Sequence, residues 1–163
     1  MSDNAAIKYH MEGYNCAESV LLVFLDRWGK YFRLGTTSSV ATAFGGGMGR
    51  MGHICGALSG GLIVIGLAVG RTDAKDDEGK QRAYSAAREL IQHFQERWGT
   101  LTCRELTKCD LSTQEGFNKY RELKLKETKC GPIVEETTRT LEIYKEASYE
   151  ISLYTRHRVL ESA

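Results

Sequence analysis

At 163 residues the chain can bury roughly 70% of its unfolded surface, enough for a core that needs no disulfide staples. Lys and Arg total 22 against 21 Asp and Glu, and no basic block is interleaved with aromatics, which argues against a nucleic-acid partner. The first residues, MSDNAAIKYHMEG, lack a basic segment followed by an apolar one. A cytoplasmic, reducing location is therefore expected, where cysteines serve catalysis or metal binding more often than cross-linking.

The first helix is predicted to open at Asn15, a good N-cap with Glu18 three residues on, and to carry Val20, Leu21, Phe24, Leu25 and Trp28 until Gly29 stops it. A shorter helix follows from about Thr37 to Phe44 and ends in the loop GGGMGRMGHI. The run CGALSGGLIVIGLAVG, Cys55 to Gly70, falls short of the roughly 20 residues a membrane span needs and reads as a buried core helix. Its glycines, Gly56, Gly60, Gly61, Gly66 and Gly70, imply close approach by neighbouring backbones, since each costs about 0.5–1 kcal/mol inside a helix.

After the charged turn RTDAKDDEG, the residues Tyr84, Ala87, Ile91, Phe94 and Trp98 recur at helical spacing and define one face, closed by Gly99. Thr102 and Glu105 form a T-x-x-E capping box that starts a short helix at Cys103. Another helix is predicted from near Ser112 through Phe117, Tyr120 and Leu123. The last starts at CGPIVEE, with Pro132 in its first turn and Ile133, Thr137, Leu141 and Tyr144 along one face.

With Pro132 as the single proline and almost no strand-like alternation, the fold class is all-α: a single-domain bundle of about six to seven helices around a Gly-rich buried central helix. Residues 1–148 form the cysteine-containing helical domain. Residues 149–163 form a helical extension that lengthens the last helix or docks on a second subunit, so a homodimer is one expectation.

Cys16, Cys55, Cys103 and Cys130 each fall where a helix begins, whereas Cys109 does not. Unpaired N–H groups and the positive end of the macrodipole favour thiolate there. The effect is small: about 0.3–1 kcal/mol lowers a thiol pKa by only about 0.2–0.7 units. Full ionisation needs a metal or a nearby cation such as Arg50, His53 or Arg104. Four converging thiolates repel one another unless a metal or cluster joins them, and helix-start N–H groups are then available to the sulfurs. The other reading is four inert cysteines scattered through a core.

The spacing contains no C-x-x-C pair, no C-x-x-C-H haem site and no H-E-x-x-H zinc site. Gly47, Gly49 and Gly52 make a formal G-x-G-x-x-G, but no strand precedes it, so the glycines read instead as room for backbone beside the cysteines or as a small anion-binding nest. His53 stands two residues before Cys55 and is a proton donor, a substitute ligand or a loop residue. His10, His93 and His157 lack a companion ligand nearby and read as structural or exposed.

The runs GYNCAESVL, FGGGMGRMGHICGALSGGLIVIGLAVG, WGTLTCREL and KCGPIVEETTRTLEIY together resemble the C_GCAxxG_C_C family of redox-active proteins over residues 8 to 147. The segment CGALSG, Cys55 to Gly60, matches its CGAxxG signature. Residue by residue, the family's four cysteines fall on Cys16, Cys55, Cys103 and Cys130, and Cys109 lies outside the pattern and is expected to be dispensable. The resemblance implies a redox role for those four sulfurs. Related arrangements resemble the iron–sulfur-bearing part of split-Soret-type cytochromes, which implies a cysteine-ligated cluster. The haem role does not carry over.

The expectation is thus an electron-transfer or thiol-redox protein, an oxidoreductase among the options, whose Cys16, Cys55, Cys103 and Cys130 ligate an iron–sulfur cluster of the 2Fe–2S type. Gly47, Gly49, Arg50, His53 and Gly56 are expected around it. A second form has redox-cycling pairs, which need Cα atoms about 4.4–6.8 Å apart. A zinc-holding structural or interaction module is the alternative from another class. The electron partner is a protein or small molecule whose identity the sequence does not specify.

Overall fold

The fold is given by a computed structural model that describes residues 5–28 and 37–143. Seven α-helices follow one another: α1 (Ala5–Glu12), α2 (Cys16–Trp28), α3 (Gly56–Val69), α4 (Asp77–Trp98), α5 (Cys103–Thr107), α6 (Gln114–Glu122) and α7 (Gly131–Leu141). A 3₁₀ helix, Ser38–Phe44, lies between α2 and α3, and a π turn, Lys126–Cys130, leads into α7. The architecture is all-α. Among the described residues there is no strand, and an isolated antiparallel bridge joins Ile54 to Thr102.

The central position of α3 follows from its composition. Ala57, Leu58, Val64, Ile65, Ala68 and Val69 are all buried, and a helix apolar on every side must be surrounded. It packs on α2, α4 and α7, while α1 closes over α2 and α7. Three glycines allow this closeness. A Cβ on Gly60 would lie 2.6 Å from the Ala17 carbonyl oxygen, one on Gly61 2.9 Å from Leu90 Cδ2, and one on Gly56 3.2 Å from Cys16 Cβ. Gly66 departs from the expectation: it is exposed, and nothing lies within 4 Å of its Cβ position. No helix among the described residues is long and apolar enough to cross a membrane.

Local capping explains most boundaries. Asn15 Oδ1 accepts from the amides of Ala17 and Glu18 at 2.9 and 3.1 Å, and Glu18 Oε2 accepts from Asn15 N at 2.9 Å, a complete capping box at the start of α2. At α5 the box is half formed. Thr102 Oγ1 accepts from Glu105 N at 3.3 Å, but the Glu105 carboxylate takes the hydroxyls of Thr100 and Thr102 instead of a backbone amide. α6 is capped by Thr113, one residue beyond the expected Ser112. α4 ends at Gly99, whose φ of 77° suits a residue without Cβ.

Four expectations are corrected. α1 was not expected, because its eight residues carry no capping signal and bury only Ala6 and His10; docking on α2 and α7 holds it. The segment before the Gly-rich loop is 3₁₀ rather than α, a short Ser/Thr-rich piece that runs straight into glycines. On α4 the buried line is Ala86, Leu90 and Phe94, and Tyr84 is 53% exposed. The apolar stripe is centred to one side of the tyrosine, leaving its ring to solvent. On α6, Leu123 is exposed while Phe117 and Tyr120 are partly buried. Gly29, the Trp28 side chain, Tyr144 and the extension 149–163 lie outside the described residues.

Candidate functional site

Four separate segments bring cysteines to one end of α3. Cys16 opens α2, Cys55 sits at the N-cap of α3, Cys103 opens α5, and Cys130 ends the π turn before α7. The Ile54–Thr102 bridge ties two of them. Cys55 N donates to Leu101 O at 2.8 Å and Cys103 N to His53 O at 2.7 Å, one on each side of the bridged pair. Gly56 lets α2 carry Cys16 against the start of α3, and the missing Cβ of Gly47 makes room for Cys103, whose own Cβ would lie 2.7 Å away.

The sulfurs feel one another. The charges of Cys130, Cys55 and Cys103 act on Cys16, and those of Cys55 and Cys130 act on Cys103. Burial pushes Cys55 up to about 11 and Cys103 up to about 12. A rise of two units is about 2.7 kcal/mol, well above a helix-end contribution of about 0.3–1 kcal/mol. Burial therefore overrides the helix starts at these two positions, contrary to the sequence expectation.

Helix-start amides reach one sulfur. Those of Ala57 and Leu58 act on Cys55 and lower its pKa against burial, although Cys55 makes no capping hydrogen bond of normal geometry. At α2 the amides of Ala17 and Glu18 are held by Asn15. Cys130 stands just before α7, as its N-cap residue, but its backbone is already helical, at φ −71° and ψ −39°, and the next amide is bonded to Lys126 O. The π turn, absent from the sequence reading, delivers it.

Cys130 is the acidic member. The Cys16 thiol beside it, then His10 and Tyr120, hold it down to about 5, while the same contact with Cys130, followed by burial, raises Cys16. Tyr120 Oη donates to Cys130 Sγ at 3.4 Å, and burial pushes the Tyr120 phenol well up. Of the Cys16–Cys130 pair, Cys130 is the one favoured as thiolate and Cys16 the one held as thiol.

A ring nitrogen of His10 and the sulfurs of Cys16 and Cys130 lie within 4.8 Å of one another. His10, read from sequence as structural or exposed, is buried beside Cys16 and Cys130, and Tyr120 packs against the Cys103 cluster while its hydroxyl reaches Cys130. The spacing His10–Cys16 crosses a helix break, so no local ligand pattern marks it. Cys16, Cys103, Cys130 and His10 border a cavity of about 690 Å³.

The residues expected around a cofactor divide. Gly49 and Arg50 border the cavity, with the Arg50 guanidinium 4.3 Å from the Phe117 ring centre. Gly47 and Gly56 are buried against Cys103 and Cys16. The His53 side chain is exposed, and the residue contributes its carbonyl to Cys103. Arg104 is held by Asp110 through two bonds, at 2.6 and 2.9 Å.

Residues 46 to 50 all have positive φ, between 61° and 73°, Met48 and Arg50 included. That conformation costs a residue with a Cβ roughly 1–2 kcal/mol. The amides of Met48, Gly49, Arg50, Gly52 and His53 bond to carbonyls of residues 43 to 47, so the loop closes on itself rather than opening as an anion nest. Cys109 is buried and packs with Cys103 and Leu111, a closer neighbour of the four than its place in the sequence implied.

Residues 14–144 match the model of the family described as "Putative redox-active protein (C_GCAxxG_C_C)". No curated protein and no solved structure gives a significant match. With its sulfurs gathered at one end of α3 and the family pattern running through most of its length, the chain belongs to the C_GCAxxG_C_C family of redox-active proteins.

Proposed function

We propose that Cys16, Cys55, Cys103 and Cys130 form one redox centre occupied by an iron–sulfur cluster of the 2Fe–2S type. The observation that carries this reading is that four separate segments bring these cysteines to one end of α3, with Cys55, Cys103 and Cys130 buried and Cys16 partly so. Ionised together in a poor dielectric they repel one another. A cluster core brings positive charge and takes four thiolates as a complete ligand set. Bound there, it supplies one-electron transfer.

The chain's own residues hold and tune the ligands. Main-chain bonds on either side of the Ile54–Thr102 bridge fix Cys55 and Cys103. The Tyr120 hydroxyl donates to Cys130, and the amides of Ala57 and Leu58 act on Cys55. Donors to sulfur favour the more negative, reduced state and so raise the potential. The cavity gives a protein or small-molecule electron partner an approach to Cys16, Cys103 and Cys130. The setting is the cytoplasm.

Anaerobic purification with iron, sulfide and zinc analysis tests the reading. We expect iron and inorganic sulfide in equal amounts and a visible charge-transfer band that disappears when any of the four cysteines becomes serine. Zinc in a colourless protein would overturn the cluster. Four reactive thiols with neither metal would point to redox-cycling pairs instead.

A further inference from the structure

The four-sulfur reading gives His10 no place among the ligands. Its side chain is 3% exposed, and Nδ1 faces the Tyr14 carbonyl at 3.2 Å. A carbonyl only accepts, so Nδ1 carries a proton. Nε2 is buried and makes no hydrogen bond of normal geometry among the described residues, and in the metal-free protein the ring favours the Cys130 thiolate. A metal ion would take the place of the proton on that side of the ring.

We propose that His10 is a metal ligand, its Nε2 joining the sulfurs of Cys16 and Cys130 on one divalent cation of the borderline class, Zn²⁺ or Fe²⁺, with the fourth coordination position open to the cavity. The site takes Cys16 and Cys130 from the proposed cluster and leaves out Cys55 and Cys103, so its ion is an alternative occupant of the same centre, chosen on geometry and not on the redox reading. Three features carry it. The ligand atoms already lie within 4.8 Å of one another, against about 3.3–3.8 Å between neighbours around a tetrahedral ion of this size. The bond from Nδ1 to a backbone carbonyl is the usual way a ligating imidazole is oriented. A neutral imidazole and two thiolates also cancel the charge of a divalent ion, whereas four thiolates leave two negative charges buried.

The open position follows from the wall. His10, Cys16 and Cys130 border the cavity, and Cys55 is not among its lining residues. Arg50, Arg121, Lys124 and Lys126 share that wall with Glu127, and none of the four cations forms an ion pair among the described residues. An exchangeable fourth ligand is therefore a small anion. His10 lies four residues before the matched segment 14–144.

The test is an anaerobic Co²⁺ titration of the full-length, metal-free, reduced protein. We expect tetrahedral cobalt bands, sulfur-to-cobalt charge transfer from two thiolates, and an imidazole nitrogen coupling in pulsed electron paramagnetic resonance. His10→Ala should weaken Co²⁺ binding about tenfold or more, with circular dichroism confirming the fold. His10→Cys should restore binding with the charge transfer of a third thiolate.

Cys55→Ser should leave Co²⁺ affinity within about threefold, because Cys55 is outside the ligand set. Azide should shift the cobalt bands; bands that ignore it overturn the open position. If His10→Ala binds as tightly as the parent, with no nitrogen coupling, and Cys55→Ser loses the metal, the inference falls while the four-sulfur centre stands. If the purified protein contains no iron yet Co²⁺ binding depends on His10, the cluster reading falls and the inference stands.

Discussion

Tyr120 donates its phenolic hydrogen to the sulfur of Cys130 at 3.4 Å, from α6 to the end of the π turn. The Cys16 thiol is the larger influence holding Cys130 down to about 5, and Tyr120 adds to it. A hydrogen bond to a charged group contributes about 1.5–3 kcal/mol, which corresponds to about 1–2 pKa units. Tyr120→Phe should therefore raise the Cys130 pKa by about that much in the metal-free protein. The ring keeps its stacking on Phe117 at 6.3 Å, so the fold is retained. Ultraviolet thiolate titration checks this, with Cys130→Ser identifying the sulfur that ionises first.

The stability of the reduced, metal-free protein should depend on pH with opposite signs in two ranges. Cys130 is held down to about 5 in the folded protein, against 9.0 for an ordinary thiol. Its contribution is full above about pH 9 and is lost as pH falls through 5. Cys55 and Cys103 titrate near 11 and 12, above 9.0, so theirs is full below about pH 9 and lost as pH rises through those values. Urea midpoints should rise between pH 5 and 9 in the parent relative to Cys130→Ser. Equal slopes for the two proteins would refute the low Cys130 value.

Two glycines of one helix should respond to alanine with opposite signs. At Gly60 the added Cβ meets the Ala17 carbonyl oxygen at 2.6 Å, backbone against backbone, whereas at Gly66 it meets nothing within 4 Å. Gly60→Ala should destabilise by about 1–3 kcal/mol, as overpacking does. Gly66→Ala should stabilise by about 0.5–1 kcal/mol through helix propensity. Equilibrium urea unfolding measures both.

Cys109 and Cys103 share one small apolar cluster, but the family pattern separates them. Cys109→Ala should leave metal content unchanged and lower stability by about 1 kcal/mol, as loss of a small buried side chain does. Cys103→Ala should lose the metal. Metal analysis paired with unfolding curves distinguishes the two, and metal loss in Cys109→Ala would show that five sulfurs, not four, belong to the centre.

The helices with a stripe or a cap of their own were legible in the sequence. Asn15 and Glu18 announced α2, and Gly99 announced the end of α4. α1 escaped because docking holds it, and with it went His10, whose role depends on Cys130 rather than on any neighbour in sequence. The four cysteines were found by their signature, but their ionisation was misread. Helix ends are local and visible, whereas burial is a property of the assembled core. The positive φ values of Met48 and Arg50 had no signal either, since ordinary side chains rarely adopt them and nothing but their glycine neighbours hints at it.

The centre draws on segments as distant as His10 and Cys130, which places its assembly in time. During synthesis the N-terminal ligands emerge long before the π turn that carries Cys130, and no shorter piece of chain holds the His10, Cys16 and Cys130 trio. At the proposed His10 site metal uptake would then follow the docking of α7 on α1 and α2. A loaded protein would be one in which those three helices have closed on one another.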